Sequence, residues 1–358
     1  MLKAVLNAFR APDLRKKILF TFAILAIYRF GTFVPIPGAN SHDIEGAIGS
    51  QGAANVLQFL NLFSGGALTR FSVFALGIMP YITASIVLQL MTVVIPTLEA
   101  LQKEGEAGQA KITQYTRYLT VVLALVQSFA YVLFFRSVGG LQDVNAGHFY
   151  LIVISLTAGT VLVMWLGELI TQRGIGNGIS LMIFASIVAS IPRGIRHWWQ
   201  LDPVTMIVVG VIALAVVVGV VFVNEGQRRI PIQYAKRVVG RKMTQGGTTY
   251  MPLRVNMAGV IPVIFASSIV ILPSLLSTLI GGSFFKRLGE LLGTNSWFFI
   301  IFQALLIILF TYFYTAVQFN PVDQAENLKK YGGFIPPVRA RRPTGGFLPP
   351  LLHPPPPP

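Results

Sequence analysis

Long apolar runs separated by short polar, mostly basic stretches set the rhythm of this chain. A helix that crosses a bilayer needs about 20 mostly apolar residues. Eight segments qualify as spans: about 18–36, 71–96, 118–136, 149–170, 178–192, 204–223, 255–281 and 297–319. The fifth is the shortest and can reach 197 through the Trp198-Trp199 edge. The pattern predicts an all-α polytopic membrane protein.

Two of these segments share a motif. Gly77-Ile78-Met79-Pro80-Tyr81-Ile82-Thr83-Ala84-Ser85-Ile86 and Gly259-Val260-Ile261-Pro262-Val263-Ile264-Phe265-Ala266-Ser267-Ser268 carry Gly, Pro, Ile, Ala and Ser at the same five places. Each follows an arginine, Arg70 or Arg254. The pair reads as corresponding helices of two related halves, a known way of building a path at the membrane midplane. Each proline is placed inside its helix, where it would free a carbonyl for a neighbour or water. Two kinked packing helices remain the alternative.

Between spans one and two, Val34-Pro35-Ile36-Pro37-Gly38 ends the first helix. Val56 to Phe63 is apolar but too short to span, and Ser64-Gly65-Gly66 breaks it. Such a piece reads either as a re-entrant segment buried against protein or as an interfacial helix. The mixed charges of 97–117 predict a solvated turn. Arg173-Gly174-Ile175-Gly176-Asn177-Gly178 is glycine-rich but follows no strand, so a tight helix–helix connection is expected rather than a phosphate loop.

Composition sharpens this picture. The chain has 358 residues, of which 54% are hydrophobic and 11% charged, against roughly 25% charged in soluble domains. Cysteine is absent, which excludes disulfides, zinc-thiolate sites and iron–sulfur clusters. No small-residue cleavage site follows the first run, so that helix is expected to stay as an anchor.

The net charge of +15 is unevenly placed. Alternating loops put 21 Lys/Arg against 8 Asp/Glu on the N-terminal side and 6 against 5 on the other. Basic residues in short loops collect in the cytoplasm, so the N-terminus is expected there; Arg193 and Arg196 run against the rule. Residues 1–17 read either as an amphipathic surface helix or as a plain positive anchor.

The largest cytoplasmic loop, 224–254, holds Arg228, Arg229, Lys236, Arg237, Arg241, Lys242 and Arg254 against Glu225. Ile230 to Tyr234 and Thr248 to Met251 are β-like runs joined by Gln245-Gly246-Gly247, predicting a hairpin that shows basic residues to an acidic or nucleic-acid partner. The four histidines make no metal-ligand spacing, and neither a Walker loop nor a Ser-His-Asp arrangement is present. No enzyme, metal site or cofactor is expected. Arg29 and Glu168 are the ionisable residues nearest the spans, and both lie toward helix ends. A secondary transporter of a small solute, or a nonconducting assembly component, are the competing readings.

At several stretches the chain resembles the SecY family, channel subunits of the protein translocon. They are Phe33 to Gly38, Leu62 to Leu68, Phe74 to Ile82, Gln114 to Tyr118, Arg173 to Ser180, Arg229-Ile230-Pro231 and Val255 to Pro262. The resemblance implies an hourglass of two halves with an aliphatic ring at its waist, to which Ile82, Ile86, Ile183, Ile187 and Ile264 correspond. Residues 58–70, with Leu62, Phe63, Ser64, Gly65, Gly66 and Leu68, correspond to the plug. The second and seventh spans correspond to the two sides of the lateral gate. The 224–254 loop and Arg339 correspond to the docking surface for the ribosome and the SecA motor ATPase. SecE- and SecG-type small subunits, signal sequences, unfolded polypeptide substrates and membrane lipid are the other implied partners, in a bacterial cytoplasmic membrane.

The implied division is 1–17 as the N-terminus, 18–192 as the first half, 193–320 as a partial second half and 321–358 as a basic segment with a proline-rich tail. The family has ten spans and this chain offers eight. Helices nine and ten, with one ring residue, are therefore expected to be lacking, and the likeness is expected to fade past Pro336.

Overall fold

The computed structural model describes residues 11–37, 61–137, 141, 145–234, 237–239, 242–244, 248–254, 256–267, 269–270, 297–318 and 333–334. The helices are α1 (Pro12–Gly31), α2 (Met79–Val94), α3 (Pro96–Lys103), α4 (Glu106–Ser137), α5 (Ala146–Arg173), α6 (Gly178–Trp198), α7 (Pro203–Glu225) and α8 (Trp297–Gln318). Residues 261–267 are also helical. The strands are β1 (Gln227–Tyr234), β2 (Arg237–Val239), β3 (Lys242–Thr244), β4 (Thr248–Arg254) and β5 (Gly333–Phe334). Among the described residues five helices, α4 to α8, are long and apolar enough to span a membrane, and a sixth if α2 and α3 form one broken span.

Several expected boundaries move, each for a physical reason. The first helix starts at Pro12 rather than 18 and ends at Gly31, so Arg15-Lys16-Lys17 lie in its first turns; residues 1–10 lie outside the described residues. The second span does not start at 71. Residues 71–78 are apolar but not helical, and α2 begins only at Met79. Pro80 therefore lies in the first turn, where a missing N–H breaks no bond. It does not kink the helix. At the other end Pro96 holds Ile95 extended (φ −102°, ψ 112°), and α3 turns away by 101°.

The stretch 97–117 is not a solvated turn either. It is α3, a reversal at Gly105 (φ +80°), and the first turns of α4. At 32 residues α4 runs about 48 Å, well beyond a ~30 Å hydrocarbon layer. The fifth span continues through Pro192 to Trp198.

Contacts divide the chain into two compact units, 1–200 with 265–305, and 201–264 with 306–358. In the first unit α4 packs between α2 and α5, α6 packs on α5, and α1 lies against both α5 and α6. Small residues and polar pairs do the joining. A Cβ added at Gly159 of α5 would stand 2.0 Å from the Val73 carbonyl oxygen. Ser128 and Thr157 share a hydrogen bond of 3.0 Å between α4 and α5. At the end of the same pair, Arg117 grips Glu168 with both ends of its fork, Nε to Oε1 at 2.8 Å and Nη2 to Oε2 at 2.7 Å.

The glycine-rich turn between α5 and α6 is a tight connection, as its sequence suggested. A Cβ at Gly178 would meet the Gly167 oxygen at 2.0 Å. The Ile175 amide donates to Thr21 Oγ1 and the Gly178 amide to Thr171 Oγ1. The Asn177 side chain caps α6, accepting from the Ile179 and Ser180 amides.

In the second unit α7 has no buried residue. β1 pairs antiparallel with β4 from Gln227↔Arg254 to Gln233↔Thr248. Pro231 opposes Tyr250 and Pro252 opposes Arg229. Both pairs share one register parity, so the two prolines occupy the same class of antiparallel pair. The expected hairpin is thus present, but Gln245-Gly246-Gly247 does not simply join its strands: a second hairpin, β2 with β3, is inserted. β5 adds to the free edge of β1 at Gln233 and Tyr234, from a segment read only as part of the cytoplasmic tail.

Candidate functional site

The segment from Asn61 to Ile78 is built as a backbone knot. After one helical turn at 61–63 the chain folds through Gly65 (φ +66°) and Gly66 (φ +86°), left-handed positions that suit glycine. The Gly66 amide donates to the Asn61 carbonyl oxygen, and the Thr69 amide donates to Asn61 Oδ1. Ser64 Oγ donates to the Asn61 carbonyl and accepts from the Leu68 amide. Residues 63–68 are buried. Backbone polar groups of an irregular segment can be buried in this way only if the segment satisfies them itself or borrows partners. Residues 63–68 are thus buried on protein, while Val56 to Leu60 of the apolar piece lie outside the described residues.

The knot touches three helices or their entries. A Cβ at Gly65 would lie 3.2 Å from Arg29 Nη1 of α1 and 3.4 Å from Ser186 Cα of α6. One at Gly77, just before α2, would lie 3.4 Å from Ser64 Cα. Tyr28 Oη and Ser186 Oγ share a 2.7 Å hydrogen bond that closes α1 on α6 beneath it. Downstream, the Ile36 amide donates to the Phe71 carbonyl and the Val73 amide to the Val34 carbonyl. Phe71 holds φ +47°, a costly value for a bulky residue, while fully buried edge-on against Phe135.

The isoleucines fall into two groups. Ile82 and Ile86 are buried on one face of α2, and Ala84, two residues from each, is buried on the opposite face. On α6 Met182 and Ser186 are buried, one and two turns after the buried Gly178, and Ile183 and Ile187 beside them are half-buried. Ser186, the residue against the knot, thus sits between two of the ring candidates. Ile264 is 5% exposed in the second unit. The two motif copies agree locally: Gly77 and Gly259 are both left-handed (φ +59° and +62°), each proline is the second residue of its helix, and Ala84 and Ala266 are both fully buried.

Of the docking candidates, Arg228 and Arg229 lie on β1, with Arg228 exposed. Arg237 and Lys242 lie on β2 and β3. Lys236, Arg241 and Arg339 lie outside the described residues. Arg29, Asn61 and Thr69 were not singled out for this site by sequence. The signal that could have found Arg29 is its charge in the last turn of a span.

The SecY family model matches residues 72–353, so the likeness runs past Pro336 instead of fading there. The protein translocase subunit SecY of Streptomyces galbus is 50% identical over 383 aligned positions, which take in 99% of this chain and 85% of the relative. A solved structure described as that of a protein conducting channel superposes with a TM-score of 0.64 at 17% identity, covering 94% of this chain and 82% of its own. A second has a TM-score of 0.62 at 19% identity, with the same coverage. Its SecY plug domain is described as stabilising the closed state of the translocation channel and maintaining a membrane seal.

Proposed function

The chain belongs to the SecY family, and on that premise we propose that it is the protein-conducting channel subunit of a Sec translocon. It sits as a multi-pass protein in a bacterial cytoplasmic membrane, with its N-terminus in the cytoplasm. It passes unfolded secretory polypeptides across that membrane and releases membrane segments sideways into lipid. The observation that carries this reading is the knotted segment 61–69, buried at 63–68 and held against α1, α6 and the entry to α2.

In its closed state the segment at 61–69 acts as a plug. Ile82, Ile86, Ile183, Ile187 and Ile264 form an apolar waist, which blocks ions by excluding water. Opening parts α2 from the helix that starts at 261. Energy comes from partners. The basic residues of the β1–β4 sheet and its inserted hairpin, with Arg339, dock the ribosome and the SecA motor, while SecE- and SecG-type subunits complete the complex.

The test is ion conductance of the reconstituted complex. Ile82→Asn or Ile264→Asn raises the leak through the resting channel; an unchanged leak removes these residues from the waist. A second test addresses docking. Arg229→Glu, Arg237→Glu or Arg339→Glu weakens ribosome and motor binding while leaving the complex assembled, and wild-type binding refutes that surface.

A further inference from the structure

Arg29 is the cation in the last turn of α1, half-buried and directed at the knot. Its Nη1 donates to the Gly65 carbonyl oxygen at 2.5 Å and to Thr32 Oγ1 at 3.4 Å. Its guanidinium also lies over the Phe33 ring, 5.0 Å from the centroid, and that of Arg70 lies 4.1 Å from the same ring. Gly65 is the residue whose left-handed φ turns the knot, and a side chain there would press on Arg29 Nη1. A charged hydrogen bond to a backbone carbonyl is stronger than a neutral one. Unlike a side-chain pair, it engages the backbone of the knot itself: the carbonyl that Nη1 holds belongs to the left-handed Gly65.

We propose that Arg29 is a positioning residue for gating, a tether whose bond to the Gly65 carbonyl holds the 61–69 segment in its closed seat. The inference rests on the plug reading above. α1 supplies the fixed end, because Tyr28, one residue before, is locked to Ser186 of α6. The aromatic face of Phe33 keeps the guanidinium from swinging away. Opening breaks one charged hydrogen bond and releases the segment as a unit, its internal bonds to Asn61 intact.

The experiment measures exposure of the seat in the assembled, reconstituted complex. The chain has no cysteine, so Leu68→Cys, at a position 2% exposed, supplies the sole thiol of this subunit. Its labelling rate by a membrane-impermeant thiol reagent is read together with ion leak. Arg29→Gln is expected to raise the labelling rate about tenfold, the loss of one charged hydrogen bond. Arg29→Lys, which keeps a cation but not the planar fork, gives an intermediate rate. Gly65→Ala attacks the same bond from the knot's side and raises labelling even where Arg29→Gln assembles poorly. Deletion of 61–69 is the reference. If deletion leaks and Leu68→Cys stays equally slow to react in the Arg29→Gln and Gly65→Ala proteins, the tether is wrong and the plug reading stands. If deletion does not leak, the plug reading falls and takes the tether with it.

Discussion

Helices α5 and α7 make opposite use of similar material. α7 is the more apolar, built mainly of Val, Ile, Leu, Ala and Gly, and none of its residues is buried. α5 carries more polar and small residues, yet Ile152, Leu156, Gly159, Val163, Leu166 and Ile170 are among the many it buries. In a soluble protein the ranking would be reversed, because burial follows hydrophobicity. Lipid tails are as apolar as leucine, so hydrophobicity gives no helix a reason to turn inward. What draws α5 inward is small residues and polar partners: Gly159 against the Val73 carbonyl, Thr157 with Ser128, and Glu168 with Arg117. α7 offers rows of Val and Ile with an open-sided Gly219, and its described surface stays outside.

The sharpest way to break this contrast is to add one methyl to each helix. Gly159→Ala forces a Cβ to within 2.0 Å of a backbone oxygen and is expected to cost about 3 kcal/mol or more. This would be read as lost thermal stability of the purified complex. A neutral outcome would mean that α5 does not depend on close approach. Glu168→Ala comes next. Its side chain is 14% exposed and Arg117 is 43% exposed, so solvent screens part of the pair. A loss of about 1–2 kcal/mol is expected, and a double-mutant cycle with Arg117→Ala should recover most of it as coupling.

Thr21→Val removes the acceptor for the Ile175 amide, leaving that N–H without its side-chain partner where α1 meets the α5–α6 turn. About 1 kcal/mol is expected, visible as faster amide exchange around 174–178. Gly219→Ala on α7 should be the smallest, within about 0.5 kcal/mol, since nothing lies within 4 Å of the added carbon. A large loss there would show that α7 has a close-packed neighbour in the assembled complex.

The repeat shows where sequence reading succeeds and where it slips. Gly77 and Gly259 were legible as a matched pair, and both hold a left-handed backbone. The role given to the prolines was wrong, because helix starts are set by backbone that hydropathy does not report. Residues 71–78 are as greasy as a span, yet hydrogen bonds from Ile36 and Val73 and the bridge Pro35↔Ser72 hold them out of helix. Val56 to Phe63 was legible as too short to span and broken by Ser64-Gly65-Gly66, at the point where the knot forms. Its partners were not, since Arg29 and Ser186 are 36 and 121 residues away from Gly65 in sequence.

Hydropathy and charge by themselves determined that this is a helical membrane protein, and the expected N-terminal side. The positions of Gly and Pro marked where its helices break. These are properties of local stretches meeting one solvent, so a local reading suffices. Tertiary structure decided which greasy faces turn inward, which carbonyl Arg29 finds, and which turn lies under Thr21. In lipid those choices rest on steric fit and on polar groups seeking distant partners, and neither is written in any one segment of the chain.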